Sequence, residues 1–87
     1  TLTMSYIIIE DESGEVVYYG RNMFDLVDLA TDNGLTAQES EQLLFIIAAI
    51  YDHRYSYASI YLSIFLGRNV KVSTGFIANQ PEVNGLF

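Results

Sequence analysis

The chain's only histidine stands in Asp52-His53-Arg54, with Ser56 close behind, inside the stretch IYDHRYSYASIYLSIF from Ile50 to Phe65. Aspartate, histidine and serine are the residue types of a nucleophilic triad, in which the carboxylate orients the imidazole and the imidazole takes the serine proton. Neighbours in sequence do not meet that demand, because adjacent side chains on a helix point about 100° apart. No Gly-x-Ser-x-Gly elbow or glycine-rich segment accompanies them to supply an oxyanion hole. The expectation is therefore no enzyme and a corner whose charged residues stay in water while the flanking tyrosines bury their rings. A pH-sensitive contact through His53 ranks second, and catalysis by His53 third.

Four carboxylates, Glu10, Asp11, Glu12 and Glu15, stand close together with no basic residue among them. Oxygen ligands of that density suit a calcium ion, but Gly14 comes too early for the EF-hand spacing and no ordered ligand series follows it. With no cysteine, thiolate chemistry, disulfides and Cys-based metal sites are excluded. No P-loop, dinucleotide fingerprint or HExxH motif occurs, so neither cofactor nor metal is expected.

Charge is the stronger signal. Eleven acidic residues against four basic ones give a net charge of -7, which opposes direct binding to nucleic acid or an anionic membrane and favours a basic protein partner. Asp25, Asp28 and Asp32 recur at i, i+3 and i+7 and so share one helix face, with Met23, Phe24, Val27 and Ala30 along much of the other side. With Glu39 and Glu41 they form a candidate negative surface of the kind that occupies a cationic groove meant for phosphates. Three of the basic residues, Arg21, Arg68 and Lys71, belong to or follow two Gly-Arg-Asn boundaries, and would make a small cationic spot if those boundaries met. Seven tyrosines, Tyr55 and Tyr57 among them, are candidate interface anchors, including for a homodimer.

The elements that must position these groups are legible in part. Tyr6–Ile9 and Val16–Tyr19 are β-branched and aromatic runs around a glycine-containing acidic turn, a hairpin whose continuous apolar character asks for cover on both faces. Asn22 reads as the N-cap of a first helix reaching Asp32, which Asn33-Gly34 ends. Thr36-Ala-Gln-Glu39 matches a capping box and starts a second helix. One rod from Thr36 to Leu66 would align Asp52, Ser56, Ser59 and Ser63 in a polar stripe, but would also drive Arg54 into the apolar face. Such a rod would be about 46 Å long, against a radius of gyration of about 12 Å for a compact chain of this length. A break near Asp52–Tyr55 into an antiparallel pair is favoured, although no glycine or proline marks it. Gly67 then caps the last helix, and a third short strand is expected near Val70–Ser73.

Leu43 to Leu66 is apolar enough to test as a membrane span, but Asp52 and Arg54 fall at its centre and together cost about 5–7 kcal/mol there, offsetting the gain from the apolar residues. The first residues lack the positive start and unbroken apolar run of a secretory signal, so a cytoplasmic location is expected. The terminal Gly85-Leu86-Phe87 resembles the Leu-Phe end of the peptides by which bacterial proteins dock on the sliding clamp. That resemblance covers two residues, with Val83 where those peptides carry glutamine, and implies no function here.

The chain thus reads as one α+β domain over residues 1–87: an N-terminal β-hairpin, three helices, a short third strand, and a mobile tail over 74–87. The expected function is docking, as an inhibitor or adaptor blocking a basic nucleic-acid-binding partner, with Asp25, Asp28, Asp32, Glu39, Glu41, Tyr55 and Tyr57 as contacts. The alternative is a structural homo-oligomer with a tyrosine-rich interface.

Overall fold

The acidic turn closes on one of its own carboxylates. Asp11 Oδ1 accepts hydrogen bonds from the backbone N–H of Ser13 at 2.9 Å and of Glu15 at 3.1 Å, and from the Ser13 hydroxyl. Gly14, at φ 87°, supplies the left-handed residue that the reversal needs. The turn joins β1 (Tyr6–Asp11) to β2 (Val16–Gly20), as the paired apolar runs predict. The computed structural model describes residues 5–79 and 85–86, and continues with α1 (Phe24–Asp32), α2 (Ala37–Tyr51), α3 (Tyr55–Leu66) and β3 (Val70–Gly75). The architecture is α+β, with a three-stranded antiparallel sheet and three helices.

The strand order is β2-β1-β3, so the first strand is the centre of the sheet. Ile9 lies opposite Tyr18 on one side and Val72 on the other, which sets one inner face. A register shift between Ile9 and Glu10 interrupts the alternation of β2, and Val17, Tyr18 and Tyr19 are buried in succession. The inner face packs on Met23, Leu26, Leu43, Ile47, Ile50 and Leu62 of the helical layer. The chain covers part of the second face itself: Tyr6 stacks on Tyr19 with ring centroids 4.4 Å apart, and the Tyr19 hydroxyl accepts the Ile77 N–H at 2.9 Å. That bond draws the segment after β3 back over the sheet.

The helices start and stop for local reasons. Thr36 and Glu39 form the complete capping box, the threonine oxygen accepting the Glu39 N–H at 3.2 Å and the glutamate accepting the Thr36 N–H at 3.0 Å. Asn22 acts one residue earlier than expected. Its side chain accepts the Phe24 N–H at 3.1 Å, and Met23, not Asn22, occupies the cap position. The reason is Met23 itself, which is fully buried and pulled into the first turn by the core. Phe24, expected on the apolar side, is instead exposed and stacks on Tyr51.

Helices α2 and α3 are separate, with the break where Arg54 demands it. All three helices end in the same paired closure. After α1 the N–H groups of Gly34 and Leu35 reach Thr31 and Ala30, after α2 those of His53 and Arg54 reach Ile50 and Ala49, and after α3 those of Gly67 and Arg68 reach Ile64 and Ser63. This motif requires a left-handed residue just past the helix, and Gly34, His53 and Gly67 all have positive φ. His53 therefore stands where the other two helices use glycine.

Strand β3 runs beyond Ser73 through Thr74 and Gly75, taking the first residues of the expected tail. Leu86 is buried in the core cluster, while residues 80–84 and 87, including Val83 and Phe87 of the terminal resemblance, lie outside the described residues.

Candidate functional site

Helix α3 has no charged residue, and its three sides do three different things. One side is committed to the edge of the sheet. Ser63 Oγ accepts the Val70 N–H at 3.0 Å and Ser59 Oγ accepts the Val72 N–H at 2.8 Å, while their protons go to carbonyls of the preceding turn, Ser59 O and Tyr55 O, each at 2.7 Å. A second side buries Ala58 and Leu62 in the core.

The third side is apolar and open. Tyr57, Ile60, Tyr61 and Ile64 recur at i, i+3, i+4 and i+7, the spacing of a helix face that packs on something, yet Ile60 is 59% and Ile64 71% exposed. Phe45 of α2, 70% exposed, stands beside this stripe. Phe45, Gln42, Tyr57, Tyr61, Ile64 and Phe65 surround a groove of about 370 Å³ floored by Ile46. The Tyr57 and Tyr61 rings lie 4.4 Å apart along it. No charged side chain occurs from Gln42 to Tyr51 or from Tyr55 to Gly67, so this face offers dispersion, ring faces and two phenolic hydroxyls.

The expected contact residues divide. Tyr57 lines the groove, and Glu41 is exposed on α2 one turn before Phe45. Asp25, Asp28 and Asp32 are exposed on α1, and among the described residues neither they nor Glu41 make an ion pair. Glu39 is occupied by the capping box, where hydrogen bonds with the Thr36 backbone and then its side chain hold the carboxyl below its usual range. Tyr55 is half-buried with its hydroxyl 2.8 Å from His53 Nδ1, and lines a different groove, between α3 and β3. Phe45, Ile60 and Ile64 are absent from the sequence-based set. Their signal was present all the same: α3 is apolar on every side, but its chain partners cover only part of it.

Several tyrosines hold the fold through their hydroxyls, Tyr18 and Tyr19 from buried positions and Tyr51 from an exposed one. Tyr51 accepts the Met23 N–H at 3.2 Å, holding the start of α1 on the end of α2. Buried Tyr18 donates to Asn22 O at 3.1 Å, and burial, followed by the negative charge of Asp25 and by Tyr51, pushes its phenol up to about 12. Tyr57 and Tyr61 are the exposed pair in the groove.

The triad residue types do not assemble. Asp52 pairs with Arg54 at 2.8 Å, not with His53, and Ser56 is exposed. The cationic spot also fails to form. Gly20 lies opposite Ile7 while Val70 lies opposite Asp11, so the two Gly-Arg-Asn boundaries sit about 13 Å apart along β1. Arg21 instead lies over the Tyr6 ring at 5.1 Å, Arg68 faces Asp11 at 3.8 Å, and Lys71 is opposite Glu10 in the ladder. Among the described residues no group of three histidine, aspartate or glutamate side chains is placed to hold a metal ion, and no helix is long and apolar enough to cross a membrane. No protein-family model, curated protein or solved structure matches the chain.

Proposed function

We propose that this chain is a small binding domain that acts by docking on a protein surface and does no chemistry of its own. The observation that carries the reading is the uncharged face of α2 and α3, where Phe45, Ile60 and Ile64 each keep more than half of their surface in water. Contiguous apolar exposure of that kind marks interaction sites. The carboxylates of Asp25, Asp28, Asp32 and Glu41, free of ion pairs among the described residues, add a field that steers basic partners and repels nucleic acid, consistent with an inhibitor or adaptor. A cytoplasmic setting accords with the absence of cysteine.

The test is partner capture from source cells by three versions of the chain: wild type, Phe45→Ser with Ile64→Ser, and a charge reversal of Asp25, Asp28 and Asp32. Loss of a saturable partner with the first variant assigns docking to the apolar face, and weakening with the second, mirrored by salt, assigns steering to α1. Equal capture by all three would sink the proposal.

A further inference from the structure

We infer that Asn33-Gly34 is a self-modification site: the closure at the end of α1 holds this pair unreactive, and it deamidates when that last turn opens. The only co-reactant is water.

The reaction belongs to the pair itself. The Gly34 backbone nitrogen gives its proton to base and attacks the Asn33 side-chain carbonyl carbon. The new C–N bond closes a succinimide ring, and the side-chain nitrogen takes a proton from water and leaves as ammonia. Water then opens the ring at either carbonyl, giving an aspartyl or an isoaspartyl residue. Glycine favours the attack because no Cβ shields its nitrogen. Asn33 and Gly34 are both exposed, so water and base reach them.

The fold opposes each step. Asn33 has ψ 17°, which lays the Gly34 nitrogen nearly over the Asn33 nitrogen and leaves Cβ, with the carbonyl carbon it carries, turned away from the nucleophile. The proton that must leave is in use, since the Gly34 N–H donates to Thr31 O at 3.0 Å. The departing amide is tied too, Asn33 Nδ2 donating to Leu29 O at 2.7 Å. Gly34 at φ 87° and the Leu35 N–H on Ala30 O at 3.1 Å complete a closure that fixes these torsions. Turning ψ for the attack breaks the Gly34 and Leu35 bonds together, so the reaction waits for local opening.

The products do not rebuild what opened. A carboxylate has no proton for Leu29 O, and it adds a negative charge beside Asp32 at the negative end of the helix dipole. In the isoaspartyl form the backbone also runs through the side-chain methylene, which moves Gly34 and Leu35 out of register with Thr31 and Ala30. A transient opening of the α1 end thereby becomes a lasting one.

The full chain is incubated in mildly alkaline buffer, native and in denaturing urea, and peptide mapping separates Asn33 from the sequence's other Asn-Gly pair, Asn84-Gly85. Asn33 should convert at least about tenfold faster in urea. Equal rates would overturn the inference. The isoaspartyl form, isolated and refolded, should exchange the Gly34 and Leu35 amide hydrogens at least about tenfold faster than the unmodified chain, while Ile47 in the core keeps its protection. Asn33→Asp keeps the natural backbone and changes only the side-chain bond and the charge, so it carries the test if the isoaspartyl form does not refold. It should speed exchange at the same two amides by a smaller factor. Unchanged exchange at Gly34 and Leu35 in these forms also overturns the inference.

Discussion

Ser63 and Val70 are seven residues apart, yet the Ser63 hydroxyl accepts the Val70 N–H at 3.0 Å and so closes the outer edge of β3 with a side chain from α3. Ser59 does the same for Val72 at 2.8 Å. An exposed strand edge is a template for pairing with other chains, and a helix laid along it removes that hazard. The edge is therefore unavailable for strand addition over Val70–Val72, and the open surface lies on the other side of α3.

Replacing Ser63 or Ser59 by alanine leaves a backbone N–H of a buried valine without its acceptor, a change that costs about 1–3 kcal/mol. Ser56→Ala, at an exposed position of the same stripe, should stay within about 0.5 kcal/mol of wild type. Urea denaturation of the three variants makes the comparison. Equal midpoints for Ser63→Ala and Ser56→Ala would show that the serine does not secure the edge.

His53 holds φ 60°, a conformation in which a side chain costs about 1–2 kcal/mol and glycine nothing. His53→Gly should therefore stabilise the fold by about 0.5–1 kcal/mol after the added freedom of the unfolded chain and the lost contact with Tyr55 are counted. His53→Val should destabilise it by more than 1 kcal/mol. Thermal melts at fixed pH decide, and a glycine variant less stable than wild type would assign the imidazole a positive structural role.

Stability should fall at both ends of the pH scale, for different groups. Glu39 and Asp11 have folded-state pKa values below the ordinary carboxylate range, Glu39 through its bonds with Thr36 and Asp11 chiefly through its bond from Ser13. Their contribution is complete above that range and is lost as pH falls through the lowered values, so Thr36→Ala should lose less stability on acidification than wild type. Tyr18 has a phenol raised from 10.0 to about 12 by burial. Its contribution is complete below pH 10 and is lost as pH rises toward about 12. Phenolate absorbance should show an ionisation in step with unfolding, and Tyr18→Phe should remove that step. Persistence of that step in Tyr18→Phe would contradict it.

Signals confined to a few residues were legible in the sequence, because they concern backbone groups that must find partners nearby. The capping box at Thr36 and Glu39, the endings at Gly34 and Gly67 and the hairpin with Gly14 in its turn belong to this class. The break between α2 and α3 was legible for another reason: Arg54 has no place in an apolar face, and at the corner it meets Asp52 in water. Tertiary structure decided the rest. That His53 takes a glycine's conformation follows from the need to turn α3 back onto the sheet. That Ser59 and Ser63 bind a strand, and do not simply let two helices approach, depends on β3 lying beside α3, which no spacing in α3 encodes. The two Gly-Arg-Asn boundaries were separated by the ladder register. The open apolar face was the least visible of all, because α3 is apolar all round and only its packing determines which stripe the sheet and α2 bury and which, carrying Tyr57, Ile60, Tyr61 and Ile64, is left facing water.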